Sequence, residues 1–350
     1  MTTPSVLVSV AGRTDVGRTR DHNEDTYLVA DLSTGAVEVD TDGRPHPIGE
    51  RGALFMVADG MGGAAAGELA SELAAQTIHA HLMATWAHDD ERTSEKFAFR
   101  VREAVEEANR KIHAYAAEHP DVRGMGTTVT AAGVFGSHLF LAQIGDSRAY
   151  LVRRGVATQL TKDQSLTQRL VDAGEMTEEQ AEKSERKNII LQALGPDPQV
   201  RVELTFEELR QGDVLILCSD GLSGQVRRPE FAEHADRLPD LSELCGTLID
   251  LANTRGGPDN ITVVAVRFDG PGLPLSTTAP EPGHHVVLLP GDEPEEDTPG
   301  QGYTTSDRLA AYVPPAAEAP APMVRPRPPV GLIGTGVLLL AALLYYLITR

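Results

Sequence analysis

Four aspartates stand where apolar, strand-length runs end or begin. Asp59-Gly60 follows Leu54-Phe55-Met56-Val57-Ala58, and Asp146 follows Ala142-Gln143-Ile144-Gly145. Asp220-Gly221 follows Leu215-Ile216-Leu217-Cys218-Ser219, and Asp259-Asn260 precedes Ile261-Thr262-Val263-Val264. A carboxylate at the end of a buried strand is costly unless it is paired or bound to a metal, so the set implies convergence on cations. Any one Asp-Gly step alone reads first as a turn. Oxygen ligands without a histidine or thiolate cluster favour magnesium, manganese or calcium over zinc or copper. Gly60, lacking a side chain, leaves its carbonyl free to approach an ion. A fifth segment, Thr14 to Asp25, places Arg20 five residues before Asp25, with Glu24 between them. Arginine's planar fork holds two phosphate oxygens at once, although an isolated arginine would read as a surface residue.

These residues need a scaffold, and the chain has the material for one. Its 350 residues are 41% hydrophobic, enough for one large core. A net charge of -20 argues against a nucleic-acid binder, which needs a basic face. Cys218 and Cys245 lie in unlike contexts without a C-x-x-C spacing, so neither a disulfide framework nor a zinc site is expected, and a reducing cytoplasm fits. Met1 to Val10 lacks the basic and apolar parts of a signal peptide, so the catalytic part is expected in the cytoplasm.

Strand-like runs recur at Leu54 to Ala58, Thr128 to Val134, His138 to Ile144, Val214 to Leu217 and Ile261 to Phe268. Helical patterns cover Gly67 to Trp86, Ser94 to Glu118, Leu166 to Ala173 and Leu241 to Thr254. Thr177 with Gln180 has capping-box spacing and opens another short helix. The tight turn Phe135-Gly136-Ser137 predicts antiparallel pairing and an α+β class.

The expected organisation is a catalytic domain over residues 1–269, a disordered proline-rich and acidic linker over 270–329, and a transmembrane helix over 330–349. The linker's composition cannot bury enough surface to fold. As a coil of about 60 residues it would span roughly 40–50 Å, with His284 and His285 solvated. The stretch from Val330 to Thr349 is apolar and uncharged, and roughly 20 such residues cross a bilayer. Arg325 and Arg327 place the preceding chain on the inner side, a bias that Arg350 weakens.

With its motifs assembled, the sequence resembles the metal-dependent protein phosphatase family of type 2C, in its bacterial form. The resemblance covers nearly all of residues 5–268. It is carried, in family order, by Arg20 to Asp25, Val57-Ala58-Asp59-Gly60-Met61-Gly62-Gly63, Gly126-Thr127-Thr128, Gly145-Asp146-Ser147-Arg148, Ser219-Asp220-Gly221 and Gly257-Pro258-Asp259-Asn260-Ile261-Thr262. It implies two antiparallel β-sheets packed as a sandwich flanked by α-helices, and hydrolysis of phosphoserine and phosphothreonine on proteins by a metal-activated water. It assigns Asp25, Asp59, the Gly60 carbonyl, Asp220 and Asp259 to two divalent cations, manganese or magnesium, with Asp59 bridging. Glu24 would act through water, Asp146 with Asp220 would form a weaker third metal site, and Arg20 would clamp the substrate phosphate. Asp15 and Asn260 would shape their loops. The implied partners are phosphorylated proteins, a Ser/Thr kinase or its substrates, at the inner membrane.

Two positions depart from the family pattern. Ala64 stands where bacterial members carry a histidine, a candidate proton donor to the leaving group, and Gln164 replaces a second histidine in Asp163-Gln164-Ser165. General acid catalysis contributes roughly 10²–10⁴-fold, so slower or water-assisted catalysis is expected. A catalytically silent, membrane-anchored binding protein is the alternative, and the complete carboxylate set favours the enzyme. A calcium sensor is a weaker third reading, because Arg20 would repel a cation. The charged segment from Asp163 to Leu194 is expected to form a flap beside the site that influences which phosphoproteins dock, with an ordinary solvated helical pair as the equal alternative.

Overall fold

The computed structural model describes residues 5–37, 44–276, 280–289 and 302–304. In chain order the strands are β1 (Leu7–Asp15), β2 (Asp25–Asp31), β3 (His46–Pro47), β4 (Ala53–Met61), β5 (Gly126–Thr127), β6 (Val129–Phe135), β7 (His138–Ile144), β8 (Arg148–Arg153), β9 (Val156–Gln159), β10 (Glu203–Glu208), β11 (Val214–Cys218), β12 (Ile261–Asp269), β13 (His285–Val287) and β14 (Gly302–Thr304). The α-helices are α1 (Ala64–Ala84), α2 (Ser94–Glu118), α3 (Leu166–Asp172), α4 (Glu178–Glu182), α5 (Asp220–Ser223), α6 (Arg228–Arg237) and α7 (Leu241–Thr254). One sheet has the order β3-β1-β12-β11-β8-β9 and the other β14-β13-β10-β7-β6-β4-β2, with pairing antiparallel except between β13 and β14.

Strand alternation explains the layers. Along β4, Phe55 and Val57 face the second sheet and join Val8, Val10, Leu141, Leu215, Leu217 and Val264 between the sheets. Leu54 and Met56 point the other way, against α1 and α2, among Ile78, Leu82, Trp86, Phe97 and Val101. On the far side, Ile216 and Val263 pack with Phe231, Leu244 and Leu248 under α6 and α7. A strand buried on both faces is apolar at every position, which is why these runs were visible in sequence. Helix α2 starts where the Thr93 hydroxyl accepts the Lys96 amide at 3.2 Å, and Phe97, Val101, Val105, Ala108 and Ile112 supply its buried stripe. Gly136, at φ 59°, makes the turn between β6 and β7 without the penalty a side chain would carry. The Thr177–Gln180 capping box forms as expected.

The expected linker boundary at residue 270 needs correction. Residues 280–289 return to the fold: β13 pairs with β10 at Val286 and Thr205, and Val287 and Leu289 are buried. His284 and His285 are not simply solvated, since His284 Nε2 meets Glu203 Oε1 at 2.8 Å and His285 approaches Glu207 at 3.9 Å. Beneath them Arg153, 1% exposed, donates to both Asp213 oxygens at 2.9 and 2.7 Å and to Glu207 at 3.2 Å. It also donates to the Pro280 carbonyl at 3.1 Å, tying the returning segment down. Composition suggested disorder, but two apolar anchors and a buried arginine order this stretch. Residues 330–349 lie outside the described residues, among which no helix is long and apolar enough to cross a membrane.

Candidate active site

The acidic residues gather at one end of the sandwich because the registers put them there. Antiparallel pairing of β2 with β4 sets Asp25 opposite Asp59, and β4 with β5 sets Gly60 opposite Thr127. On the other sheet, β11 ends beside the start of β12: the Ser219 amide donates to the Thr262 carbonyl at 3.1 Å, and the Thr262 amide to Ser219 Oγ at 3.0 Å. Asp220 therefore emerges next to Asp259. Asp146 follows β7 at the same end and lines one cavity with Asp220.

The loops around these carboxylates are held by tertiary hydrogen bonds. Thr128 Oγ1 accepts the Asp59 amide at 3.0 Å, while Thr127 Oγ1 donates to the Asp59 carbonyl at 2.9 Å, so the Gly-Thr-Thr motif fixes the Asp59 backbone. Asn260 donates to the carbonyls of Val16 and His22 at 3.0 and 2.8 Å and accepts the Glu24 amide at 2.9 Å. Asp15 accepts from the Gly17 amide and Asn253. The two loop-shaping residues do what was expected of them. A side chain at Gly60 would collide with the Gly67 carbonyl, so its glycine permits close packing of β4 on α1. Gln164, in place of a family histidine, accepts the Gly145 amide and Gln192 Nε2, both at 2.9 Å, and pins the flap to the strand end that carries Asp146. Ala64 opens α1 directly after Gly63.

Electrostatically the cluster is a set of carboxylates that repel one another in a dry place. Burial, then the charges of Asp220 and Asp259, push Asp25 up to about 7, against hydrogen bonds from Thr262 and Ser219. Burial and Asp220 push Asp146 up to about 8. Asp59 is raised well above the usual range by burial and then by Asp25, Asp220 and Asp146, and Asp220 is raised by burial and Asp259. Glu24 is raised by burial, which outweighs Arg20.

This set fits divalent cations. Asp25 Oδ2 accepts from Ser219 Oγ at 2.7 Å, but Asp25 Oδ1 and Asp220 Oδ1 are buried with no hydrogen-bond partner, a costly state for a carboxylate that a cation would relieve. Among the described residues no three His, Cys, Asp or Glu side chains already form an ion-holding group, so a bound ion would also draw on main-chain oxygen and water, as hard cations do. Arg20 lies at the rim, half exposed, with Nη2 donating to Asp259 Oδ2 at 2.8 Å. Most of its fork faces solvent. The positions of Ser219 and Thr128 were not singled out as supports, although both sit inside motifs that were; their role depends on contacts with residues distant in sequence.

Between the flap and the α5–α6 connection lies an open cavity of about 880 Å³, lined in part by Asp146, Asp220, Lys187, Arg227 and Arg228.

A family model described as protein phosphatase 2C matches residues 35–252. The serine/threonine phosphatase stp of Listeria monocytogenes is 39% identical over 257 residues, 73% of this chain and 94% of that protein. The serine/threonine protein phosphatase PstP of Mycobacterium tuberculosis is 36% identical over 320 residues, 90% of this chain and 55% of that one. Among solved structures, the M. tuberculosis phosphatase PstP/Ppp superposes with a TM-score of 0.63 at 39% identity, covering 75% of this chain and 99% of that one. The PstP catalytic domain in complex with two manganese ions superposes with a TM-score of 0.61 at 38% identity, covering 76% and 100%. The two-sheet sandwich with flanking helices is the architecture these share.

Proposed function

We propose, from the premise that this chain belongs to the protein phosphatase 2C family, that it hydrolyses phosphoserine and phosphothreonine on proteins with two manganese or magnesium ions. The observation that carries the reading is the pair of buried, unpartnered carboxylate oxygens of Asp25 and Asp220, both acted on by the charge of Asp259, the residue to which Arg20 donates. Asp25, Asp59, the Gly60 carbonyl, Asp220 and Asp259 would hold the two ions, Glu24 would act through water, and Asp146 with Asp220 would hold a weaker third. Bound there, divalent ions supply an activated water and offset the charge that grows on the phosphoryl oxygens. The chain's own contribution is positional. Arg20 receives phosphate oxygens through its open donors, Thr127 and Thr128 fix Asp59, and Ser219 orients Asp25. No side chain is required as a nucleophile.

The full chain, stripped of metal, should regain turnover of a phosphothreonine peptide on adding manganese or magnesium. Arg20→Ala should then lower kcat/KM by about 10- to 100-fold, with Arg20→Lys intermediate because a point charge cannot replace the bidentate fork. Absence of turnover with either metal, despite metal binding by calorimetry, would support the silent binding protein instead.

A membrane tether, opposing a Ser/Thr kinase at the inner face, is the finer part of the proposal. It rests on the uncharged apolar run of residues 330–349. Deleting that run should move the protein from the membrane pellet to the supernatant on fractionation; an unchanged distribution would discard the tether.

A further inference from the structure

The cavity beside Asp146 and Asp220 is larger than one phosphorylated side chain requires and lies in the upper size range for a ligand cleft. Its lining carries both charges. On the flap side, α4 presents Glu178 and Glu182. On the other side, Arg227 and Arg228 stand exposed at the start of α6, while Lys187, which belongs to the flap segment, lies close enough to Asp220 to act on its charge. Other charged residues lining the groove are already satisfied: Arg148 by Asp163, Arg255 by Glu230 and Lys183 by Glu179. Among the described residues Arg227 and Arg228 have no such ion pair.

Glu230, three residues after Arg227, is already committed. Two bonds from Arg255, at 2.8 and 2.6 Å, and one from the Arg227 amide, at 2.8 Å, occupy it. These hold the Glu230 carboxyl down at about 2, chiefly through the Arg255 hydrogen bonds and then the Arg227 amide, with the charges of both arginines adding. The start of α6 therefore presents two exposed positive charges without a paired acid among the described residues, although the whole chain carries -20.

We propose that this side of the cavity receives a second anionic group of the substrate, a phosphoryl or carboxylate a few residues from the phosphothreonine being hydrolysed, on Arg227 and Arg228. The inference rests on the phosphatase reading and narrows its substrates to multiply phosphorylated or acidic segments.

The test uses the full chain with manganese, the Arg227→Ala/Arg228→Ala double variant and four substrates. These are para-nitrophenyl phosphate, a singly phosphorylated threonine peptide with neutral flanks, the same peptide with a second phosphoserine, and the same peptide with aspartates instead. The parent should prefer the anionic peptides. The double variant should lose roughly fivefold to tenfold in kcat/KM on them, as two exposed charge contacts allow, with the neutral peptide and para-nitrophenyl phosphate unchanged. Loss on the doubly phosphorylated peptide alone identifies a phosphate subsite, and equal loss on both a general anion subsite. Equal kcat/KM for all peptides in the parent, or an unchanged double variant, would overturn the inference while leaving para-nitrophenyl phosphate turnover to vouch for the enzyme. No turnover of any substrate would overturn both.

Discussion

Asp220→Asn is expected to lower metal-dependent kcat by on the order of a thousandfold, since metal stabilisation of the transition state is worth several kcal/mol. The same substitution should make the metal-free protein more stable. Asp220 faces Asp59, Asp146 and Asp259 in a buried cluster, and one of its oxygens has no partner. An asparagine there keeps the size, removes the charge and so removes repulsion, yet makes a poorer ligand for a divalent ion.

The pH dependence follows with a definite sign. In the metal-free fold Asp25 titrates at about 7 and Asp146 at about 8, each raised first by burial. An unfolded aspartate titrates near ~3.9, so between about pH 4 and 8 the native state binds more protons than the unfolded state, and stability falls as pH rises. Melting in chelator should therefore drop by several degrees from pH 5 to pH 8. Asp220→Asn should flatten that slope, and manganese should cancel it in the parent. A flat slope in chelator, with no shift on adding manganese, would remove these carboxylates from any metal centre.

Arg153→Met should destabilise the protein by about 3–5 kcal/mol in urea titrations, because it leaves buried acids without their cation. Asp213 is 0% exposed, and Glu207, pushed up to about 7 by burial, is nearly as deep. Replacing Arg153, Asp213 and Glu207 together with apolar residues of similar volume should recover most of the loss. That recovery would separate the cost of an orphaned charge from the worth of the pair. Hydrogen exchange at His285–Val287 should quicken in Arg153→Met, since the bond to the Pro280 carbonyl goes with the guanidinium. A variant as stable as the parent would show that water has access to this network.

Asp59, Asp146, Asp220 and Asp259, the carboxylates proposed to hold metal, were legible because each stands at the start or end of an apolar strand-length run, where a charge is conspicuous. Asp25 and Arg20 were legible only through their motif: β2, with its mixed Asp-Thr-Tyr start, carries no long apolar run. Strand β10 reads Glu-Leu-Thr-Phe-Glu-Glu, and its acids look like a loop until Arg153, His284 and His285 are seen to meet them. Helix α6 was missed because only Phe231, Ala232 and Ala235 of its ten residues are buried, too few for a clear period. Likewise Gln164 stood out only as the replacement of a family histidine, and its role as a latch is set by Gly145 and Gln192, neither adjacent to it in sequence.

The docking of β13 on β10 bears on how this protein behaves when shortened. A cut after residue 269, where composition suggests the fold ends, would strip β10 of its neighbour and leave its outer row of amides and carbonyls open beside Leu204 and Phe206. Open edges of that kind pair with other chains. The returning segment is thus a built-in guard against aggregation, and a soluble, monomeric catalytic fragment should end beyond Leu289.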